Sequence, residues 1–166
     1  MRNYLKRVVT FVAFAMLAFV TAFAAEPTAV ETKVKEIVKK YDSEKGVSCW
    51  NFVKGRGLEL IKMALNKEVG KEFMKGVTRI TIIDYSDASE QTCQALRKEF
   101  EVFKTMLEEF KSKDDEKQSA EKDNSIAYAA ISDDQSISDF IFSSESADSK
   151  MIMYMAGKIE VTDLIK

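Results

Sequence analysis

IAYAAISDDQSISDFIFSSESADSKMIMYMA, residues 126–156, switches the chain from helical spacing to a period of two. Three alternating runs, Ile126–Ile131, Ile137–Phe142 and Met151–Ala156, are separated by Asp133-Asp134-Gln135 and by the polar stretch Ser143–Ser149. Alternation of this kind belongs to strands packed in a sheet, and polar links this short join antiparallel neighbours. The stretch predicts a C-terminal β-meander. The residues before it must supply the rest of the sheet and its cover.

Two further strands stand upstream, Val47–Val53 and VTRITIIDY (Val77–Tyr85), both rich in β-branched and aromatic residues. Between and around them the period is helical. Val30, Val34, Ile37, Val38 and Tyr41 follow Pro27 and Thr28, with Asp42–Gly46 as exit turn. Leu58 to Leu65 predicts a buried helix that stutters near Gly70. Cys93, Leu96, Phe100, Phe103, Leu107 and Phe110 predict one long helix reaching Phe110, opened by Asp87 or Ser89 as N-cap. Residues 112–124 are almost wholly charged or polar and read as a mobile loop. Gly157 permits a bend, and Val161, Leu164 and Ile165 suggest a last short helix. The predicted class is α+β: an antiparallel-dominated sheet of about five strands with helices packed on one face.

The amino end reads differently. Arg2, Lys6 and Arg7 precede an uncharged apolar run that closes on Ala22-Phe23-Ala24, the pattern of a cleavable signal peptide spanning residues 1–24. The alternative is a retained anchor, although Val8–Ala24 is shorter than the ~20 residues a spanning helix needs. Residues 25–166 then form a single exported domain, placed in the periplasm or outside the cell, with no second run able to span a membrane. Of 25 basic and 27 acidic residues, removing the leader takes away three basic ones and leaves a net charge near −5. Such a balance gives nucleic acid no electrostatic footprint. The chain has no histidine, which excludes imidazole-based triads, imidazole metal sites and the usual near-neutral proton shuttle.

Four segments together resemble an exported bacterial family, domain-of-unknown-function family 4252. They are YDSEKGVSCW (Tyr41–Trp50), ITIIDYSD (Ile80–Asp87), SISDFIF (Ser136–Phe142) and MAGKIEVTDLIK (Met155–Lys166). With their spacing they cover most of the chain after the leader. The resemblance implies an α+β fold and export, and it implies no catalytic residue. The Lys54-Gly55-Arg56-Gly57 turn departs from the serine-led turn usual in that family.

Each chemistry-bearing residue has a plain structural reading beside its functional one. Cys49 and Cys93 are the only cysteines; in an oxidising compartment they either pair as a disulfide or stay as two buried thiols. Met151, Met153 and Met155 share one strand face, the donor type Cu(I) prefers, but methionine also fills cores; Ile152 and Tyr154 make the other face apolar too, which suggests coverage on both sides. Asp133, Asp134, Asp139, Glu145 and Asp148 lack calcium-loop spacing and read as hairpin-turn residues. Gly55-Arg56-Gly57 is too short for a nucleotide fingerprint and reads as a tight β–α connection. Trp50 and Phe52 point away from Cys49; they form either an exposed interaction patch or part of the core beneath the first helix. The expected function is a non-enzymatic envelope module binding an envelope protein or small ligand, with no cofactor. A small-ligand or Cu(I) carrier is the alternative, and a histidine-independent enzyme a weaker one.

Overall fold

A computed structural model describes residues 27–110, 124–132 and 136–160. The predicted signal peptide, the charged loop up to residue 123, Asp133-Asp134-Gln135 and the last predicted helix lie outside these residues. Helix α1 (Ala29–Tyr41) starts at Thr28, whose hydroxyl accepts the Glu31 amide at 3.0 Å. Strand β1 (Ser48–Phe52) leads into α2 (Gly55–Val69) and the single turn α3 (Lys71–Lys75). Gly70, at φ +88°, sits between them and produces the expected stutter. Strand β2 (Val77–Asp84) is followed by α4 (Glu90–Glu101), capped by Ser89. The remaining strands are β3 (Glu108–Glu109), β4 (Asn124–Ile131), β5 (Ser136–Glu145) and β6 (Lys150–Glu160).

All strands join one antiparallel sheet in the order β1-β2-β6-β5-β4-β3. The α+β class and the meander β4-β5-β6 stand as expected, with six strands in place of five. The sixth comes from the end of the predicted long helix. α4 stops at Glu101, tightens into a 3-10 turn over Val102–Thr105, and continues as the two-residue edge strand β3. Phe100 and Phe103 still bury as their spacing requires, so the apolar stripe continues although the α-helix does not. The loop read as 112–124 ends a residue early, because Asn124 already pairs with Glu145.

The general expectation of helices on one face is corrected, and the coverage on both sides suggested by the apolar faces of Met151–Ala156 is what the fold has. One core lies between the sheet and α1 with α4, built from Val34, Ile37, Leu96 and Phe100 against Ile83, Ile141, Ile152 and Tyr154. A second core covers the opposite face, where Leu58, Phe73 and Met74 pack on Ile80, Phe140, Met153 and Met155. Continuous apolar strands such as Met151–Ala156 are the signature of a sheet covered on both sides. Glu99 ties the first layer together, accepting from Lys33 at 2.8 Å and Lys40 at 2.6 Å.

Two bulges shape the sheet. At Ser138 the register of β5 slips against both neighbours, so Ile137 enters the second core while Asp139 faces the first. At Thr78 the register of β2 slips where Gly157 of β6 crosses Gly76. A Cβ on Gly157 would stand 2.1 Å from the Gly76 carbonyl oxygen, and one on Gly76 1.8 Å from that of Lys158. Gly157 thus serves a backbone contact inside a continuous strand, not the bend expected from the sequence.

Candidate functional site

The sheet's β1 edge carries the predicted patch. Strand alternation sends Cys49 toward α1 and α4, and Trp50 and Phe52 toward the α2 side. Trp50 stands opposite Ile82 in register and is 45% exposed. Phe52 is half-buried, its ring only 3.3 Å from where a Cβ on Gly57 would lie. Burial beneath the first helix is therefore overturned, since α1 covers the other face. Gly55 and Gly57 do not form a separate turn either: both belong to the first turn of α2, whose N-cap Lys54 makes no side-chain capping bond. Gly57 lets that turn settle against Phe52.

α2 carries an exposed apolar spot of its own. Leu58, Ile61 and Leu65 face the second core, at helical spacing. Leu60 and Met63 project the other way and are 66% and 65% exposed, with Ala64 exposed beside them. Side chains at i and i+3 share a helix face, so these two form one apolar spot on the outside of the layer. Lys54 and Arg56 at the start of α2, and Lys71 and Lys75 on α3, are exposed, and no ion pair with another described residue engages them. Sequence reading found Trp50 and Phe52 but missed Leu60 and Met63, because both fit a helix buried all round.

The first face holds two polar clusters that sequence reading did not assemble. Asp139, only 2% exposed, accepts from Tyr154 and Thr28 at 2.7 Å each and from Ser138 at 2.9 Å. Beside it Arg79 pairs with Glu31. Burial, then the bond to Asp139, pushes the Tyr154 phenol well above its ordinary value. Farther along, Glu145 accepts from Tyr85 at 2.7 Å and from Arg97 Nε at 2.9 Å, while Arg97 Nη1 reaches Glu90 at 2.9 Å. Burial opposes ionisation of Glu145, yet the bonds from Arg97 and Tyr85 prevail and hold its carboxyl below the usual value. Asp139 and Glu145 are thus pinning groups within β5, not the hairpin-turn residues expected. Both carboxylates are held by hydroxyl or guanidinium donors, which commits them to the fold.

An open groove of about 400 Å³ runs beside Arg97, Phe100, Ser125, Ser143 and Glu145. Of its charged groups, Arg97 and Glu145 pair with each other and Glu101 pairs with Lys104, which makes it a poor recogniser of a charged ligand. Cys49 and Cys93 are free thiols bordering the same core, Cys93 fully buried. Burial first, then Asp42, pushes the Cys49 thiol up to about 11, unlike a reactive thiolate. Met153 and Met155 are buried under α2 and α3 and Met151 is partly buried, so the thioether row packs the second core. Among the described residues no three His, Cys, Asp or Glu side chains gather to hold a metal. No helix among them is long and apolar enough to cross a membrane. In comparisons with known proteins, the chain matches no family model, no curated protein and no solved structure.

Proposed function

We propose that this chain is exported and acts in the cell envelope as a non-enzymatic contact module, using the α2 side of its sheet. The observation that carries this reading is the exposure of Trp50, Leu60 and Met63 on one side of a domain whose other large side chains mostly bury in two cores. These three are the most exposed large apolar side chains among the described residues, ahead of Val102, Ile126 and Ile131 at 38–39%, and exposed apolar groups rimmed by polar residues are where contacts form. The signal-peptide pattern and the resemblance to an exported family support the compartment. The polar clusters support the absence of catalysis, since their carboxylates hold strands and helices in place. A carrier on the sheet face is disfavoured because the protein's own helices occupy both faces.

The test is a photo-crosslinking residue placed at position 50 or 60 of the protein expressed in its host, followed by fractionation. The expected result is recovery from the envelope fraction with a discrete adduct, lipid or protein. Recovery from the cytosol, or no adduct at either position, refutes the proposal.

A further inference from the structure

Charge is distributed unevenly about the α2 layer. Between Lys54 and Lys75 stand six of the 25 basic residues and three of the 27 acidic ones, so the segment carries +3 and the rest of the chain −5. Arg56 shares a helix face with Leu60 at i and i+4, Lys54 caps the same helix, and Lys71 and Lys75 stand exposed on α3 after it; Glu59 and Glu72 are the exposed acidic residues among the described part of this segment. By contrast Lys33, Lys35, Lys40, Arg79 and Arg97, on the opposite side, are spent on ion pairs within the fold.

A helical layer that presents exposed cations together with exposed Leu and Met matches the chemistry of an anionic lipid surface. We infer that the outer face of α2 docks on an anionic phospholipid bilayer, with Leu60 and Met63 entering the headgroup boundary and the flanking cations facing lipid phosphates. This deepens, and rests on, the reading of the domain as an envelope contact module. Two features favour lipid over a second copy of the chain. A two-fold dimer through α2 would set cation against cation. The acidic remainder of the domain also leaves this as the side that can approach an anionic plane.

The protein as processed by its host is mixed with vesicles of equal parts phosphatidylglycerol and phosphatidylethanolamine, or of phosphatidylcholine alone, and sedimented. Binding to the anionic vesicles is expected to be at least about tenfold tighter. The pair Leu60→Ser with Met63→Ser should weaken it about a hundredfold, and separately Lys54→Gln with Arg56→Gln about thirtyfold. All four positions are exposed, so urea midpoints of the variants should match the parent. Equal binding to both vesicle types, or binding untouched by either pair, overturns the inference. So does a position-60 crosslink to an envelope protein without vesicle binding, an outcome that leaves the contact module standing. Absence of both vesicle binding and any crosslink refutes the two together.

Discussion

Replacing Asp139 tests whether the carboxylate organises the first core or merely tolerates its place there. Its side chain receives the Tyr154 and Thr28 hydroxyls at 2.7 Å each, and Tyr154 is 1% exposed. Asp139→Ala strands the Tyr154 hydroxyl in a site closed to water. An orphaned buried donor costs about 1–3 kcal/mol, and lost bonds to a charged acceptor raise the total to about 3 kcal/mol. Thr28 keeps its bond to the Glu31 amide and suffers less. Tyr154→Phe removes one of three donors and should cost about 1.5 kcal/mol. In the double variant no orphan remains, so the loss should stay near 3 kcal/mol, well short of about 4.5 kcal/mol for independent sites. Urea unfolding of the four proteins measures this, provided the slopes agree. Losses that add within about 0.5 kcal/mol would refute the linkage of Asp139 to Tyr154. So would a more stable Asp139→Ala, which would mean that desolvation of the carboxylate outweighs its bonds.

The remaining expectations concern other sites. Cys49, raised to about 11, should react slowly with a disulfide reagent at neutral pH and accelerate only as pH approaches that value, read by labelling of a Cys93→Ala variant. Because its folded value lies above the ordinary 9.0, the stability it contributes is present below pH 9 and lost as pH rises through about 11; rapid labelling at pH 7 would contradict this. Gly157→Ala should cost more than about 3 kcal/mol, its Cβ 2.1 Å from a carbonyl oxygen, whereas Gly55→Ala, at φ +77° with open space around it, should cost about 1–2 kcal/mol; equal thermal shifts would refute the distinction. Arg97→Met should lower stability by only about 1 kcal/mol, because the guanidinium is 41% exposed on its side chain and screened by water, and a loss above about 3 kcal/mol would show the Glu145 cluster to be drier than its geometry.

What could be read from residues alone was whatever rested on a long repeated period. Val30 to Tyr41, Val77 to Tyr85 and the three runs after residue 125 each repeat a single spacing, so tertiary context had little to override. The failures fall where one period serves two structures. Leu107 and Phe110 continue the helical spacing of Cys93–Phe103, yet the 3-10 turn at Val102–Thr105 redirects the chain into β3, so Leu107 still enters the first core while Phe110 packs against the second. Asp139 was hidden by the bulge at Ser138, an insertion that shifts facing by one residue without altering composition. That Trp50 and Phe52 share the face away from Cys49 was legible, because strand alternation separates them. The exposure of Leu60 and Met63 was not, since six apolar residues among Leu58–Leu65 conceal which ones face outward.

The size of the exposed spot decides how such a surface must work. Leu60 and Met63 each have about two-thirds of their area still in water. Burying that remainder contributes about 1–2 kcal/mol per side chain, roughly a hundredfold in partition for the pair. A single fourteen-carbon acyl chain gives only marginal membrane residence, so two side chains cannot anchor the domain by themselves. Cations near an anionic leaflet add about 1 kcal/mol each, and Lys54, Arg56, Lys71 and Lys75 supply up to four. Neither part suffices and the sum is reversible. Ionic strength then separates the possible partners. At about 1 M salt the screening length falls to about 3 Å, which removes the cationic share while leaving apolar burial intact. Docking on lipid must therefore collapse in high salt, whereas insertion of Leu60 and Met63 into an apolar protein groove would persist or strengthen. Salt-resistant association would assign the α2 face to a protein partner, whatever the charge around it.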